Sequence, residues 1–429
     1  MPGSLGDRCA PGKRGERSAA VAEVDPDAQK CDTAPQPGAV QGGERMSVSV
    51  LAGTTKGVFV LRAGDDARFA VSGPHCDGWP INHVIGDPAT GDIWAGGGGD
   101  WFGAGVWHSR DGGESWTLKR LSTGQMDDWA ADDADFAAMI GWTAPEVPFA
   151  KDIAQIWSLH RAGGLLYAGC KPAALLVSRD DGATWERVAG LDNHPSRAEW
   201  NPGAAGLVLH SIATDPGNPA RVWVGVSAAG VFATEDGGVT WDRRNRLSNA
   251  ESCAGHHHHP AAPSGGETGH CVHNLVRAGA GAGDLLYQQN HHGVWRSRDG
   301  GRSWDDITEG LPSTFGFPVA VHPEDANKLW VLPLNGDMEG RFPPDARAAV
   351  WHSDDGGATW RDQREGLPQE ACFFTVLRQG MATSRSAPAG VFFGTNSGSV
   401  FASFDEGARW SEIARHLPCV LSVEALDHA

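Results

Sequence analysis

An eight-residue pattern, Ser/Thr-x-Asp-x-Gly-x-Ser/Thr-Trp, recurs six times and constrains this chain more than any other feature. The copies occupy residues 109–116, 178–185, 234–241, 297–304, 353–360 and 403–410, and only the last departs from the pattern, with Arg409 at the second hydroxyl position. A period of roughly 50–70 residues implies a blade or solenoid architecture, in which no single repeat can bury its apolar face alone. Within a copy, the Asp can accept backbone N–H bonds in an Asx-type turn, and the Gly takes positive φ without steric cost. The Trp closes the copy as an apolar plug whose indole N–H needs an acceptor. Apolar pairs run into each copy: Val106-Trp107, Leu176-Val177, Val231-Phe232, Val294-Trp295, Val350-Trp351 and Val400-Phe401. A strand, a tight turn and a second strand make each copy a β-hairpin.

Composition agrees with a strand-and-turn protein. Glycine is 58 of 429 residues, Trp 18 and Tyr 2, and no long helical periodicity appears. The formal net charge of −18 excludes nucleic acid and an anionic membrane as expected partners, because a phosphate surface needs a basic face. No apolar run is long enough to span a bilayer as a helix. The eight cysteines, at 9, 31, 76, 170, 253, 271, 372 and 419, contain no C-x-x-C pair. With no apolar secretion segment at the N-terminus, reduced thiols in a cytoplasmic protein are expected.

Residues 1–45 are rich in Pro, Gly, Ala and charge and are expected to be disordered. Met46 precedes a clean strand pattern and is expected to be the true start. Beyond it, short apolar segments follow each hairpin at 79–85, 153–159, 207–213, 271–277, 315–321, 372–377 and 419–423. Each reads as the innermost strand of a blade. The last has no blade after it, and the N-terminal hairpin at 48–72 has no inner strand before it. Pairing the two ends closes the ring and removes exposed sheet edges. The expected fold is all-β, a seven-bladed β-propeller over residues 46–429.

The six copies resemble Asp boxes, or BNR repeats. These occur in sialidase-like propellers, sortilin-type receptors, xyloglucan-cleaving propellers and a plant photosystem assembly factor. In that topology the Asp boxes lie on the rim of one face, so Asp111, Asp180, Asp236, Asp299, Asp355 and Asp405 are expected to lock hairpins. Trp116, Trp185, Trp241, Trp304, Trp360 and Trp410 share that structural role. Resemblance to sialidases would also imply an arginine triad, an aspartate acid, a Tyr–Glu nucleophile and a Phe/Tyr-Arg-Ile-Pro motif. Here Gly78-Trp79-Pro80-Ile81-Asn82-His83 stands in the place of that motif and carries no arginine. Tyr167 and Tyr287 sit in matching Leu-Leu-Tyr strands and read as packing residues. The sialidase mechanism therefore does not transfer residue by residue.

Chemistry is expected on the opposite face, where the loops stop being regular. Residues 122–152 form an insertion that carries Asp127, Asp128, Trp129, Trp142 and Glu146. The turn Ser227-Ala228-Ala229 of one repeat becomes Gln289-Asn290-His291-His292 in the next and 335–341 in the one after. Neighbouring blades thus bring His291 and His292 toward Asp337, Glu339 and Arg341. Asp337 and Glu339 are the expected acid/base pair, with Asp100 as a further candidate, and Arg341 the expected anion clamp. Asp100, Trp101, Lys171, Glu199, Trp200, Asn290, His291 and His292 are expected ligand contacts, with His210 and His273 facing the central channel. No cofactor and no specific metal site are expected, although His256, His257, His258 and His259 can bind a transition metal weakly. The expected partner is a small molecule, a glycan or a protein, and the expected state is a monomer. A non-catalytic binding scaffold is the alternative, because the fold alone does not decide function.

Overall fold

The computed structural model describes residues 48–64, 68–246, 267–279 and 282–428, all within the unit Ala39–Ala429. The expectations for residues 1–45, for Met46 and for His256–His259 lie outside the described residues.

Seven four-stranded antiparallel sheets form the blades of an all-β propeller. Blade 1 takes Val420–Asp427 as its inner strand, followed outward by Val48–Thr54, Gly57–Ala63 and Phe69–His75. The pairing of Val48 with Asp427 through Gly53 with Ser422 joins the two ends of the described chain. Blades 2 to 6 start from the inner strands Ile81–Gly86, Gln155–Ala162, Val208–Asp215, Val272–Arg277 and Gly316–Val321. Blade 7 starts from Met381–Thr383, and not from 372–377 as expected. That segment is apolar, but its polar groups bond into loops. Cys372 N–H donates to Ala346 O, Thr375 N–H to Asn396 Oδ1 and Thr375 Oγ1 to Arg341 O.

An apolar cluster fills each of the seven interfaces between blades, among the described residues. Each blade is sandwiched between two neighbours, so middle strands such as Asn218–Ser227 run apolar without alternation. In five blades the second strand carries an apolar triplet that ends in glycine, at Gly53, Gly96, Gly169, Gly225 and Gly394. These glycines leave room for neighbouring inner strands. A Cβ at Gly96 would meet Ile156 Cγ2 at 2.6 Å, and one at Gly394 would meet Val420 Cγ1 at 2.4 Å. Blades 5 and 6 depart, with Gln289 and Leu332 in that place.

The six repeat turns are closed by their own side chains. Asp299 Oδ1 accepts from Ser297 Oγ at 2.8 Å and Ser303 N at 2.8 Å, while Oδ2 accepts from Ser303 Oγ at 2.6 Å. The same bonds hold Asp111 carboxyl down to about 2, chiefly through the Ser115 hydroxyl. The turns also tie blades together: Trp94, Trp223 and Trp330 donate their indole N–H to Asp181 O, Gly300 O and Glu406 O. Their carboxylates therefore hold structure on the outer rim.

Candidate functional site

An extra residue bulges from the inner strand in blades 2 to 5, at Asn82, Trp157, His210 and His273. A bulge re-aims a side chain that regular pairing would send to a sheet face. Trp157 lies edge-on to His210 with centroids 5.9 Å apart, and His273 meets Phe317 at 4.8 Å. Arg378, just before the blade 7 strand, completes this run by stacking its guanidinium 4.6 Å from the Phe317 ring. The residues that follow the bulges stitch neighbouring blades. His83 Nδ1 accepts from Leu159 N at 2.9 Å, and Ser158 Oγ donates to Leu209 O at 2.9 Å. Asn274 Nδ2 donates to Arg378 O at 2.8 Å, and Gln379 donates to His210 O, so blade 7 is tied across the channel to blades 5 and 4.

On the face opposite the repeat turns, blades 5, 6 and 7 converge. Asn290 fixes the blade 5 turn, accepting from His292 N at 2.7 Å and donating to Thr268 O at 2.7 Å. His291 N–H donates to Cys271 O at 3.1 Å, which sets the His291 ring 5.4 Å from His273 and 5.1 Å from Phe315. His291 Nε2 is 3.5 Å from Asp337 Oδ2. The other carboxylate oxygen of Asp337 accepts from Arg341 Nε at 2.6 Å. The Arg341 guanidinium stands 5.9 Å from the Phe315 ring and 5.8 Å from Phe317. Two arginines therefore face one aromatic floor.

Burial holds His273 and His210 well below the ordinary histidine value, and the Arg378 charge adds to the effect on both. Both are neutral imidazoles near pH 7. His273 Nδ1 lies 2.6 Å from Gly316 O, which fixes its proton there and leaves Nε2 as the lone-pair nitrogen. Neither ring nitrogen of buried His210 has a hydrogen-bond partner among the described residues. Burial and the neighbouring Arg341 charge lower Arg378 to about 10. No carboxylate lies within ion-pair distance of Arg378 among the described residues.

Thus His273, His291, Asp337 and Arg341 come together. Glu339 lines a surface pocket with Phe315, Asn335, Phe342 and Asp345. Trp200 is buried against Phe232 at 4.8 Å, with the Arg197 guanidinium over its ring at 4.4 Å, so it is a core side chain. Asn290 is likewise buried and held within its turn. Glu199 is exposed and sits 3.3 Å from Arg243. Lys171 places its ammonium 5.8 Å from the Trp157 ring. The Asp100 and Trp101 carbonyls accept from Gln125 N and Met126 N at 2.8 and 3.0 Å, the start of the first of two short helices absent from the sequence reading, α1 (Gln125–Asp132) and α2 (Ala134–Ile140). There Trp101 meets Trp129 edge-on at 5.2 Å, while Asp127 is buried, paired with Arg120 and bonded to Trp142 Nε1 at 2.9 Å.

Cys271, Phe315, Phe317 and Arg378 were not among the expected site residues. Cys271 and His273 alternate about Val272 at the entry of an inner strand, a legible signal. Arg378 reaches the site from the neighbouring blade 7, by packing on Phe317 of blade 6.

Toward the repeat-turn face the channel widens into a cavity of about 680 Å³ lined by His83, His160, Arg161, Arg385 and Glu424 among others. Burial, reinforced by Asp427, pushes the Glu424 carboxyl up to about 8 against a backbone bond from Gly86.

The fold defines an all-β, seven-bladed propeller. No family model matches the chain. It is 25% identical over 228 residues to the oligoxyloglucan-reducing end-specific xyloglucanase of Emericella nidulans, a match spanning 46% of this chain and 25% of that protein. It is 27% identical over 224 residues to xyloglucanase Xgh74A of Acetivibrio thermocellus, spanning 46% of this chain and 23% of that protein. Among solved structures, the GH74 xyloglucanase of Xanthomonas campestris aligns with a TM-score of 0.56 and 18% identity, covering 86% of this chain and 53% of that one. The last likeness is one of fold. The matches span about a quarter of the curated relatives and about half of the solved structure.

Proposed function

We propose that this propeller binds an acidic saccharide, or a carboxylate-bearing molecule of similar size, where blades 5, 6 and 7 meet on the face opposite the repeat turns. One observation carries the reading: Arg378 forms no ion pair among the described residues, Asp337 acting on it only at longer range, in a chain whose net charge is −18. A desolvated guanidinium with no carboxylate in contact is a site for an anion. Arg341 lies on the same aromatic floor, and Phe315 and Phe317 offer ring faces on which a sugar can stack. Asp337, beside His291, is the group placed for proton transfer, which gives the site a hydrolase-like character in keeping with the xyloglucanase relatives. The five cysteines among the described residues are free thiols, which supports a reducing, cytoplasmic setting. No helix among them is long and apolar enough to cross a membrane.

Calorimetry with glucuronate, galacturonate and N-acetylneuraminate, beside their neutral counterparts, tests the reading. Acidic sugars should bind at least tenfold more tightly than neutral ones, and Arg378→Met should remove that preference with the fold intact. Equal affinity for both classes in the wild type, or a preference that survives Arg378→Met, refutes it. A turnover assay with aryl glycosides then separates roles, since Asp337→Asn should retain binding and lose hydrolysis.

A docking scaffold is the second reading, favoured by the exposed side chains of the α1–α2 insertion, where Trp129 is 60% and Met139 75% exposed. A Trp129→Ser/Met139→Ser variant that loses co-purifying protein while keeping sugar affinity unchanged would support it.

A further inference from the structure

Three side chains near the acidic-ligand site have no role in that reading as a set: Cys271, His273 and His291. Their donor atoms all lie within 4.8 Å of one another. We propose that they form a three-ligand site for a borderline divalent transition metal, zinc being the type case, with one coordination position left open. The inference goes beyond the acidic-ligand reading and does not depend on it.

The donors are arranged as a metal needs them. One thiolate and two imidazoles are a common zinc set, with Zn–S near 2.3 Å and Zn–N near 2.0–2.1 Å. Those lengths put tetrahedral donors roughly 3.3–3.7 Å apart, so closure from the present spacing takes a shift of about 1 Å. The backbone already couples the three. Cys271 and His273 are two residues apart on one strand, and His291 N–H bonds to Cys271 O at 3.1 Å, holding the blade 5 turn over that strand.

The surrounding groups orient the ligands. His273 Nδ1 faces Gly316 O at 2.6 Å, which turns Nε2 away from the backbone as the donor nitrogen. Asp337 stands 3.5 Å from His291, the carboxylate–histidine arrangement that aims ring ligands at metals. Ser227 Oγ lies 3.2 Å from Cys271 Sγ and can donate its proton to a thiolate. Binding releases the thiol proton to solvent, and the dication then faces the thiolate and the Asp337 carboxylate. Three protein ligands and an open position are the pattern of catalytic rather than structural zinc. The nearby Arg378 and Arg341 charges suit an anion in the fourth place.

The test uses full-length protein in which His256→Asn, His257→Asn, His258→Asn and His259→Asn remove the histidine tract as a competing binder. After chelation, the protein is titrated with Co(II) and Zn(II), and bound metal is counted by mass spectrometry. One equivalent of cobalt with a near-ultraviolet thiolate charge-transfer band is expected. Cys271→Ser should abolish the band, and His291→Gln should weaken zinc binding at least tenfold while the far-ultraviolet circular dichroism stays unchanged. No metal retained above the level of an unrelated propeller, or a band that persists in Cys271→Ser, overturns the proposal. Acidic sugars are titrated separately into chelated protein, so loss of metal binding and loss of ligand binding are scored apart.

Discussion

Replacing Glu424 with Gln should make the protein more resistant to alkaline pH. Glu424 lies on the closing strand and lines the channel cavity, with Asp427 as its nearest like charge and Gly86 as its backbone partner. Its carboxyl is near 4.5 in the unfolded chain and about 8 in the folded one. Between those values the folded state holds one proton more, so stability falls as pH rises, by about 1.4 kcal/mol per pH unit. His83 and His160 in the same cavity, lowered by burial to about 3 and about 4, act oppositely. Their stabilisation is complete above about 6.5 and is lost as pH falls below it. The window from pH 6.5 to 8 therefore isolates the carboxyl. Across it the wild type should lose about 2 kcal/mol relative to Glu424→Gln, an upper value because water enters the channel. Since Asp427 is coupled to Glu424, the difference reports the pair. Urea midpoints at half-unit steps of pH provide the measurement. Parallel curves for the two proteins would refute the reasoning, as would a variant less stable than the wild type at pH 8.

Gly394→Ala should destabilise by about 2–3 kcal/mol through overpacking, because its Cβ would stand 2.4 Å from Val420 Cγ1 and 2.8 Å from Val423 Cγ2. Adding Val420→Ala should recover part of that loss in the same denaturation assay. Trp200→Ala should cost about 3–5 kcal/mol as a buried aromatic deletion and leave acidic-sugar affinity unchanged in calorimetry. A fall in affinity without a fall in stability would return Trp200 to the site.

Most of the ring can be read from the residues because hairpin turns carry strong local chemistry. Asp299 closes its turn with atoms no more than four residues away, so the turn is visible in any eight-residue window. Inner strands are less secure. At 372–377, burial and apolar character match a strand, but the N–H of Thr375 goes to an Asn396 side chain and pairing begins only at Met381. The helices of the insertion were hidden by short length, although Asp133 caps α2 by accepting from Asp135 N and Phe136 N. In the site, His291, Asp337 and Arg341 stand out because their turns are longer than those of other blades. Glu339 shares the 3-10 turn at Asp337–Glu339 and lines the pocket beside Phe315. Arg378 could not be placed by pattern alone: it lies 104 residues from Asn274, whose side chain holds its carbonyl.

The glycines of the second strands also bear on how this ring can be rebuilt. Where Gly53, Gly96, Gly169, Gly225 or Gly394 stands at a junction, the next blade seats against bare backbone, and one module can replace another. Gln289 instead reaches from blade 5 to Thr314 O at 3.1 Å, a keyed joint that accepts one neighbour. Duplication, deletion or re-cutting of blades is therefore open at the five glycine junctions and closed at the seam beside Cys271, His273 and His291. A circular permutant opened between blades 2 and 3 should keep its chemistry, whereas one opened between blades 5 and 6 divides a seam keyed to one neighbour.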